Sequence, residues 1–263
     1  MADQTTYWNE RYATKDTPWD SGKPSMELRR VLAERRIKPC DVLEIGCGTG
    51  TNAVDLARQG FSVTALDVSS LAIEQARQRA AEARVSIDFQ VADLLAPIRL
   101  KRTFPFVFDR GVYHGIRGDD LGRFLDALAS VTAPGSLYLV LAGNANDPAD
   151  PEKGPPRVHA HEICGELNPL FELIDLREFI FSGIVIDGKP VSPLGWSGLF
   201  RRRASNGRDT RTNLDARQDG TFDEAVVYGD SCVQRVKVMS ASGSSFYRSY
   251  SGTPHTGLSG AIH

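Results

Sequence analysis

The chain has 263 residues, a formal net charge of −2 and a pI near 6.2, a size that suits one large domain or one domain with a tail. Hydrophobic residues make up 41% and charged residues 24%, the balance of an ordinary globular protein. The charge argues against a basic surface that binds a nucleic-acid backbone. No apolar run is long enough to span a bilayer. We therefore expect neither a nucleic-acid partner nor a membrane partner.

The cysteines and the N-terminus indicate the compartment. None of the four cysteines is spaced as a C-x-x-C pair, which argues against a zinc site or redox dithiol, and we expect no bound metal. Free thiols are typical of a reducing compartment, and the polar segment MADQTTYWNERY lacks a signal-peptide core. We expect a cytoplasmic protein. A monomer is also expected, although no sequence feature decides the oligomeric state.

Apolar runs alternate with segments of helical periodicity over most of the chain. The predicted strands are, in chain order, Val42 to Gly46, Phe61 to Leu66, Val85 to Val91, Phe104 to Phe108 and Ser136 to Ala142. Helices are predicted from Asn52 to Gln59, after the N-cap Ser69 as far as Ala83, and from Leu121 to Val131. This order predicts an α/β fold, in which a doubly wound, mostly parallel sheet carries helices on both faces.

The end of the domain has a different pattern. Two strands are predicted at Phe171 to Phe179 and Leu194 to Arg202, with only a loop between them. A pair without a crossover helix can be antiparallel, which gives a seven-stranded sheet with an antiparallel closing strand. After Arg203 the chain is rich in Ser, Gly, Thr and Arg, and its one strand-like stretch is Cys232 to Met239. We expect residues 205–263 to form a flexible tail without a catalytic role.

The most informative motif is VLEIGCGTG, at the turn from the first strand into a helix. Gly46, Gly48 and Gly50 allow the backbone to bend and a ligand to approach closely. The dinucleotide-binding spacing is G-x-G-x-x-G, whereas the spacing in this chain is G-x-G-x-G. Glu44 would oppose a pyrophosphate but suits the ammonium and sulfonium groups of S-adenosylmethionine (SAM). The loop predicts a SAM site, and an NAD-dependent dehydrogenase is the disfavoured alternative.

Carboxylates follow the next two predicted strands. Asp67 comes directly after the second strand, where a carboxylate can accept hydrogen bonds from both ribose hydroxyls of a nucleoside. Asp93 follows the third strand and could accept from an adenine amino group while Leu94 packs on the ring. Either aspartate could instead cap a helix or turn.

These motifs closely resemble the successive motifs of class I SAM-dependent methyltransferases. The resemblance rests on VLEIGCGTG, on Asp67 after FSVTAL, on VADL, and on PFVFDRGVYHGI as the fourth motif. It covers about Tyr7 to Arg203 and implies SAM as the cofactor. It also implies cofactor contacts from Asn52, Val68, Asp109 and Arg110.

The segment YWNERYATKDTPWDSGKPS is similar to the entry segment of the thiopurine methyltransferase-like branch, which includes thiol/halide and tellurite-resistance methyltransferases. In that branch, aromatic residues and a T-P-W-D motif close over SAM. Trp8, Tyr12 and Trp19 stand at the aromatic positions, and Tyr12 replaces a tryptophan of the plant thiol/halide enzymes. Aromatic faces attract a sulfonium, although a plain packed helix is the alternative. We expect residues 1–38 to form a lid with helices and residues 39–204 to form the methyltransferase core.

The candidates on the substrate side follow the fourth strand. Tyr113 and His114 stand there beside Asp109 and Arg110, at the sheet edge where ligands bind in this architecture. His114 could act as a base or be a hydrogen-bonded structural histidine. Asp109 is expected to shape the loop or contact the methionine moiety rather than abstract a proton. His159 and His161 are read as surface or capping residues.

The predicted function is transfer of the SAM methyl group to a small molecule, with a thiol or another soft nucleophile as the favoured acceptor because it needs little base catalysis. The alternatives are an O- or N-methyltransferase of a small metabolite and a non-catalytic SAM-binding module.

Overall fold

The computed structural model of the chain describes residues 4–96, 100–149, 154–186 and 188–204, together with the backbone of two later strands. The helices are α1 Gln4–Ala13, α2 Met26–Glu34, α3 Thr51–Arg58, α4 Ser70–Ala83, α5 Tyr113–Ile116, α6 Leu121–Val131 and α7 Ala160–Leu167. The strands are β1 Asp41–Ile45, β2 Ser62–Asp67, β3 Asp88–Val91, β4 Phe106–Arg110, β5 Leu137–Asn144, β6 Arg157–Val158, β7 Phe171–Ile180, β8 Ile184–Ile186, β9 Lys189–Val191, β10 Leu194–Arg202, β11 Arg235–Met239 and β12 Ser245–Ser249.

The main sheet has the order β3-β2-β1-β4-β5-β10-β7, and the short β6 pairs with β5. Strands β1 to β5 pair in parallel, while β10 is antiparallel to both β5 and β7. The central strands are buried on both faces, as the side chains of Val42, Leu43 and Phe108 show, because helices cover a parallel sheet on both sides. The predicted fold class is confirmed, with its seven strands and its antiparallel closing strand.

Two features of the closing region differ from the sequence prediction. The segment between β7 and β10 was expected to be only a loop, but it contains the hairpin formed by β8 and β9. In addition, β10 lies inside the sheet between β5 and β7, although it comes last in the chain order of these strands. Pairing with two neighbours satisfies the ladder hydrogen bonds on both sides of β10, so β7 becomes the edge strand.

The carboxyl ends of β1, β2 and β4 meet at one edge of the sheet. Their registers place Ile45 opposite Leu66 on one side and opposite Asp109 on the other. Ligands bind outside this edge in open α/β sheets, at the point where the strand order reverses. The order β3-β2-β1-β4 puts that point between β1 and β4.

The chain divides into a unit of residues 1–205 and a unit of residues 206–263. Within the second unit, β11 and β12 form an antiparallel pair. The first of these strands agrees with the stretch that the sequence predicted at Cys232 to Met239, and the second was not predicted. The remaining residues of the expected tail lie outside the part of the chain that the structure describes, so the tail stays a prediction.

A variant that ends at Ser205 is expected to fold and to keep the methyl-transfer activity proposed below. The cut falls at the boundary between the two units, after the last core strand, so it removes no strand of the main sheet. Melting temperature and SAM turnover of this variant, compared with the full chain, test the prediction. A large fall in either would show that the second unit belongs to the functional domain.

Candidate cofactor and active site

The loop after β1 turns sharply at its glycines. Gly46 and Gly48 have φ of +62° and +53°, in the left-handed region that side chains disfavour. A Cβ on Gly46 would lie 2.1 Å from Cγ2 of Val112, and one on Gly48 would lie 2.9 Å from Oη of Tyr12. Because these glycines have no side chain, the segment after β4 can pack closely against Gly46, and helix α1 can pack closely against Gly48.

A cleft lies between this loop and the N-terminal segment of residues 4–25, which we call the lid. Tyr12 is buried against the loop. The residues that line the cleft come from the lid, from the loop with the start of α3, and from the end of β4; they are Tyr12, Trp19, Asp20, Ser21, Lys23, Gly46, Cys47, Gly48, Thr49, Thr51, Asn52 and Arg110.

The aromatic side chains of the lid form one cluster. The ring of Trp19 lies edge to face with those of Trp8 and Tyr12, at centroid distances of 5.5 and 6.4 Å. The guanidinium carbon of Arg11 lies 4.8 Å from the centroid of the Trp19 ring. The cluster thus already holds one cation against an aromatic face, a contact that electrostatics favours.

Several polar contacts fasten the lid to the rest of the domain, and three of them lie beside the cleft. Thr49 donates from its hydroxyl to Oδ2 of Asp20 over 2.6 Å, and Arg110 donates to the carbonyl of Trp19 over 3.2 Å. At the far end of the lid, Oδ1 of Asn52 accepts from the backbone N–H of Ser25 over 2.8 Å. Asn52 therefore joins the lid to the cofactor loop.

Glu44 is buried and is bonded to Asn52, which lines the cleft. Its Oε1 accepts from Asn52 over 3.3 Å, whereas its Oε2 has no hydrogen-bond partner among the described residues. Burial raises the pKa of Glu44 to about 8, because a low-dielectric site disfavours the ionised form. The hydroxyl of Thr51, at the first position of α3, is likewise buried without a partner in the described ranges.

These two unpaired oxygens fit the amino-acid end of SAM. A carboxylate oxygen without a partner suits an ammonium group, and a hydroxyl at a helix N-terminus suits a carboxylate. A buried polar atom without a partner is costly, so a ligand that satisfies both atoms gains affinity. The residues present therefore fit SAM, with Glu44 and Thr51 as the groups that would hold its charged end.

Binding of an amine beside Glu44 is expected to release a proton. Since the pKa of Glu44 is about 8 in the free protein and an ammonium favours the carboxylate, affinity for SAM should rise with pH between about 6 and 8, by up to about tenfold per unit. Isothermal titration calorimetry in buffers of different ionisation enthalpy counts the protons. Glu44→Gln should release none, and equal proton release by both proteins would contradict the assignment.

The same shift gives a stability signature without ligand. The folded protein keeps a proton on Glu44 that the unfolded chain has lost, because the ordinary pKa is 4.5 and the folded one is about 8. The free energy of unfolding therefore falls as pH rises through this window. Glu44→Gln should flatten that part of the stability curve.

Asp67 supports the loop directly. Its Oδ2 accepts from the N–H of Gly48 over 2.8 Å and its Oδ1 accepts from that of Ser69 over 2.9 Å. A carboxylate has further lone pairs, so these bonds leave acceptor capacity for ribose hydroxyls. Val68 follows it in the turn, half-buried. Asp93 is exposed, and its Oδ1 accepts from the N–H of Leu95, which is the turn-capping contact that the sequence left open.

Asp109 is fully buried and shapes the segment after β4. Its carboxylate accepts from the N–H groups of Val112 and Tyr113 and from the hydroxyl of Tyr138. Burial raises its pKa to about 6. The hydroxyl of Tyr113 donates to Glu166 over 2.7 Å, so this group is directed to helix α7.

His114 also makes a structural contact. Its Nδ1 accepts from the N–H of Gly143 over 2.9 Å, and burial lowers its pKa to about 4. The neutral ring must then carry its proton on Nε2. Neither ring nitrogen therefore has a free lone pair that could take a proton from a substrate. On helix α7, the N-cap His159 donates its backbone N–H to Glu162, and its ring stacks on His161.

Six of the predicted cofactor residues line the cleft, namely Tyr12, Trp19, Gly46, Gly48, Asn52 and Arg110. Glu44 and Asp67 do not line it, but they accept hydrogen bonds from Asn52 and Gly48, which do. Gly50 faces Ala76 of α4. The sequence did not assign Thr51, Asp20 or Thr49 to the site. The T-P-W-D motif signalled Asp20, and the position after the last glycine of the loop signalled Thr51.

No helix in the described ranges has the length and apolarity to cross a membrane. Over the same residues, no cluster of His, Cys, Asp or Glu side chains could hold a metal ion.

Comparisons with known proteins agree with the class that the sheet order and the glycine loop define. Residues 42–135 match the methyltransferase domain family. The chain contains a methyltransferase domain of the class I SAM-dependent type, as the sequence predicted.

One curated relative is the 2-heptyl-1-hydroxyquinolin-4(1H)-one methyltransferase of Mycobacteroides abscessus, which is 29% identical over 47% of this chain and 55% of the relative. The chain spans about half the length of the curated relatives it matches. A protein solved in work on the conversion of a disulfide bond into a thioacetal group during echinomycin biosynthesis is 26% identical, with a TM-score of 0.68, over 78% of this chain and 95% of the other. TehB from Haemophilus influenzae shares the fold at 20% identity and a TM-score of 0.55, over 66% and 61% of the two chains.

Proposed function

We propose that the protein binds SAM in the cleft under the lid and transfers its methyl group to a small molecule with a soft nucleophile, of which a thiol is the first candidate. The observation that carries the proposal is the pair of buried, unpaired oxygens of Glu44 and Thr51 beside a cleft roofed by aromatic rings. Bound SAM supplies a methyl group on a sulfonium sulfur, open to in-line attack.

The state of the candidate bases supports a soft nucleophile as the acceptor. Asp109 already accepts three hydrogen bonds, and His114 uses Nδ1 for a backbone N–H. The hydroxyl of Tyr113 is bonded to Glu166, and burial raises its pKa. A hydroxyl acceptor needs a positioned base, whereas a thiol ionises near neutral pH by itself. The site therefore suits an acceptor that arrives as an anion.

The transfer is balanced without a protein base. The thiol loses its proton to water, and the thiolate electron pair forms a bond to the methyl carbon. Bound SAM would supply that methyl carbon, and the electron pair of its bond to the sulfonium sulfur would stay on the sulfur. The protein contributes position and exclusion of water, which the closed lid provides.

The relatives support two acceptor classes. The work that yielded one neighbour concerns sulfur chemistry, whereas a curated relative is described as acting on a hydroxyquinolinone. A small hydroxylated heterocycle is therefore the second candidate acceptor.

The test is SAM turnover over a matched panel of thiols and hydroxylated heterocycles, with product mass as the readout. For a thiol, kcat/KM should follow the thiolate fraction, so its apparent pKa should shift with the pKa of the thiol used. A fixed apparent pKa across the panel would indicate a protein base and would contradict the base-free mechanism. Absence of SAM binding would overturn the function itself.

His114→Asn is expected to keep kcat/KM for a thiol within about tenfold, because a general base contributes 10²–10⁴-fold and His114 is not placed as one. The Oδ1 of Asn can replace Nδ1 as acceptor for the N–H of Gly143, whereas His114→Ala leaves that N–H unpaired. Steady-state kinetics and melting temperature of both variants check this. A loss of several hundredfold in both, with stability unchanged, would restore the base role.

A further inference from the structure

The β8–β9 hairpin, residues 184–191, touches the lid from outside the cleft. The backbone N–H of Val185 donates to the carbonyl of Pro18 over 3.1 Å. Pro18 directly precedes Trp19, whose ring lines the cleft. The hairpin therefore holds the lid at the residue before its central aromatic side chain.

A second contact lies at Gly183, just before β8. Its φ is +77°, and a Cβ there would lie 2.4 Å from Cβ and 2.7 Å from Oγ of Ser21. Distances this short cannot be tolerated, so a side chain at position 183 must displace either the lid or the hairpin. Ser21 itself lines the cleft, so a shift of the lid at this point changes the wall of the site.

The base of the hairpin is closely packed. Phe179 and Phe181 pack edge to face at 4.5 Å across Gly195, which has no room for a Cβ. The N–H of Phe181 donates to the carbonyl of Pro193 over 2.9 Å. The guanidinium carbon of Arg110 lies 5.4 Å from the Phe181 ring, and the same arginine donates to the carbonyl of Trp19. The hairpin base and the lid thus share one cleft residue.

We propose that the β8–β9 hairpin acts as a backstop, by which we mean a support that holds the lid closed over the cleft. Gly183 is the residue that positions the lid against the hairpin. The inference rests on the proposed function only for its ligand readout. Close contact between Gly183 and Ser21 fixes where the lid stops, and the bond between Val185 and Pro18 keeps it there. A protein whose closed state is less populated binds its ligand more weakly, in proportion to that population.

Gly183→Ala tests the contact, and Gly188→Ala is its matched control. Gly188 lies in the same hairpin with φ +71°, but a Cβ there meets no atom of the described residues within 4 Å. Both variants therefore carry similar backbone strain, and only Gly183→Ala meets the lid. Gly183→Ala is expected to raise the SAM dissociation constant by about tenfold or more relative to Gly188→Ala. KM for SAM should rise by a similar factor, with a smaller change in kcat.

Rescue by Ser21 separates a positioning role from a loss of stability. In a Ser21→Gly background, which removes both atoms of the close contact, Gly183→Ala should have little further effect on affinity. In a Ser21→Ala background, which keeps the Cβ, the full effect should persist. Equal affinity of the Gly183 and Gly188 variants, or failure of Ser21→Gly to rescue, would overturn the proposal.

Hydrogen exchange without ligand keeps this inference distinct from the proposed function. Gly183→Ala should speed exchange in residues 14–25 relative to Gly188→Ala, whatever the protein binds. If exchange is faster in Gly183→Ala but the unaltered protein does not bind SAM, the role of the hairpin is supported and the proposed function is refuted. If exchange is unchanged in Gly183→Ala and the unaltered protein binds SAM, the proposed function is supported and the role of the hairpin is refuted.

Discussion

Asp67→Ala is expected to weaken SAM binding by about 1–3 kcal/mol, which is roughly five- to 150-fold in the dissociation constant. Two contributions are combined in this loss. The carboxylate holds the N–H groups of Gly48 and Ser69, and we propose that its remaining lone pairs accept the ribose hydroxyls. Because Asp67 is buried, its removal leaves two backbone donors without their partner, so the melting temperature should fall as well.

The two contributions are separated by changing the ligand. S-adenosylhomocysteine and its 2′,3′-dideoxy analogue are titrated into the unaltered protein and into Asp67→Ala. The four dissociation constants form a double-mutant cycle in which one change is made in the protein and the other in the ligand. If Asp67 accepts the ribose hydroxyls, loss of these hydroxyls weakens binding to the unaltered protein but hardly changes binding to the variant. Equal losses in both proteins would leave Asp67 with only its loop-supporting role.

A matched control is available in the neighbouring strand. Asp88 is an exposed carboxylate at the start of β3, whereas Asp67 pairs with Val91 at the end of that strand. Asp88→Ala removes the same charge from the protein without touching the loop. It should leave the SAM dissociation constant unchanged, so any common effect of net charge would be visible in it.

Trp19→Ala is expected to raise both the SAM dissociation constant and KM for SAM by about tenfold or more, an effect comparable with removing a cation–π contact in a desolvated site. The ring of Trp19 contacts Trp8, Tyr12 and Arg11, all of which belong to the lid. The side chain is only half-buried. The core should therefore keep its melting temperature.

Trp196→Phe supplies the contrasting case. Trp196 is 1% exposed, and its indole N–H donates to the carbonyl of Val158 over 2.9 Å, so its replacement should lower the melting temperature without a specific effect on SAM. Trp19→Phe keeps an aromatic face and should recover most of the affinity. Trp19→Phe also removes the indole fluorophore, so a change in tryptophan fluorescence that SAM causes in the unaltered protein and not in this variant would come from Trp19. Near-normal affinity of Trp19→Ala for SAM, together with a large drop in its melting temperature, would contradict the hypothesis that Trp19 closes over SAM.

The amino-acid sequence by itself determined the alternating core and the position of the cofactor loop. Both depend on local patterns: apolar runs of strand length predict β1 to β5, and a turn without Cβ atoms requires glycine where φ is positive, as at Gly46 and Gly48. The caps are local too, since Ser69 accepts from the N–H of Ala72 three residues later. Patterns of this kind can be recognised in the sequence without knowing which distant residues pack against them.

Only the tertiary structure decided the chemical state of the candidate side chains. His114 and Gly143 are 29 residues apart, and nothing in either neighbourhood shows that Nδ1 is already used. The raised pKa of Glu44 comes from burial by elements on several sides, and the contact of Gly183 with Ser21 joins two ends of the domain. Protonation and steric fit depend on which distant atoms fold against a group, because desolvation and hydrogen bonding act over a few ångströms and are set by the path of the whole chain.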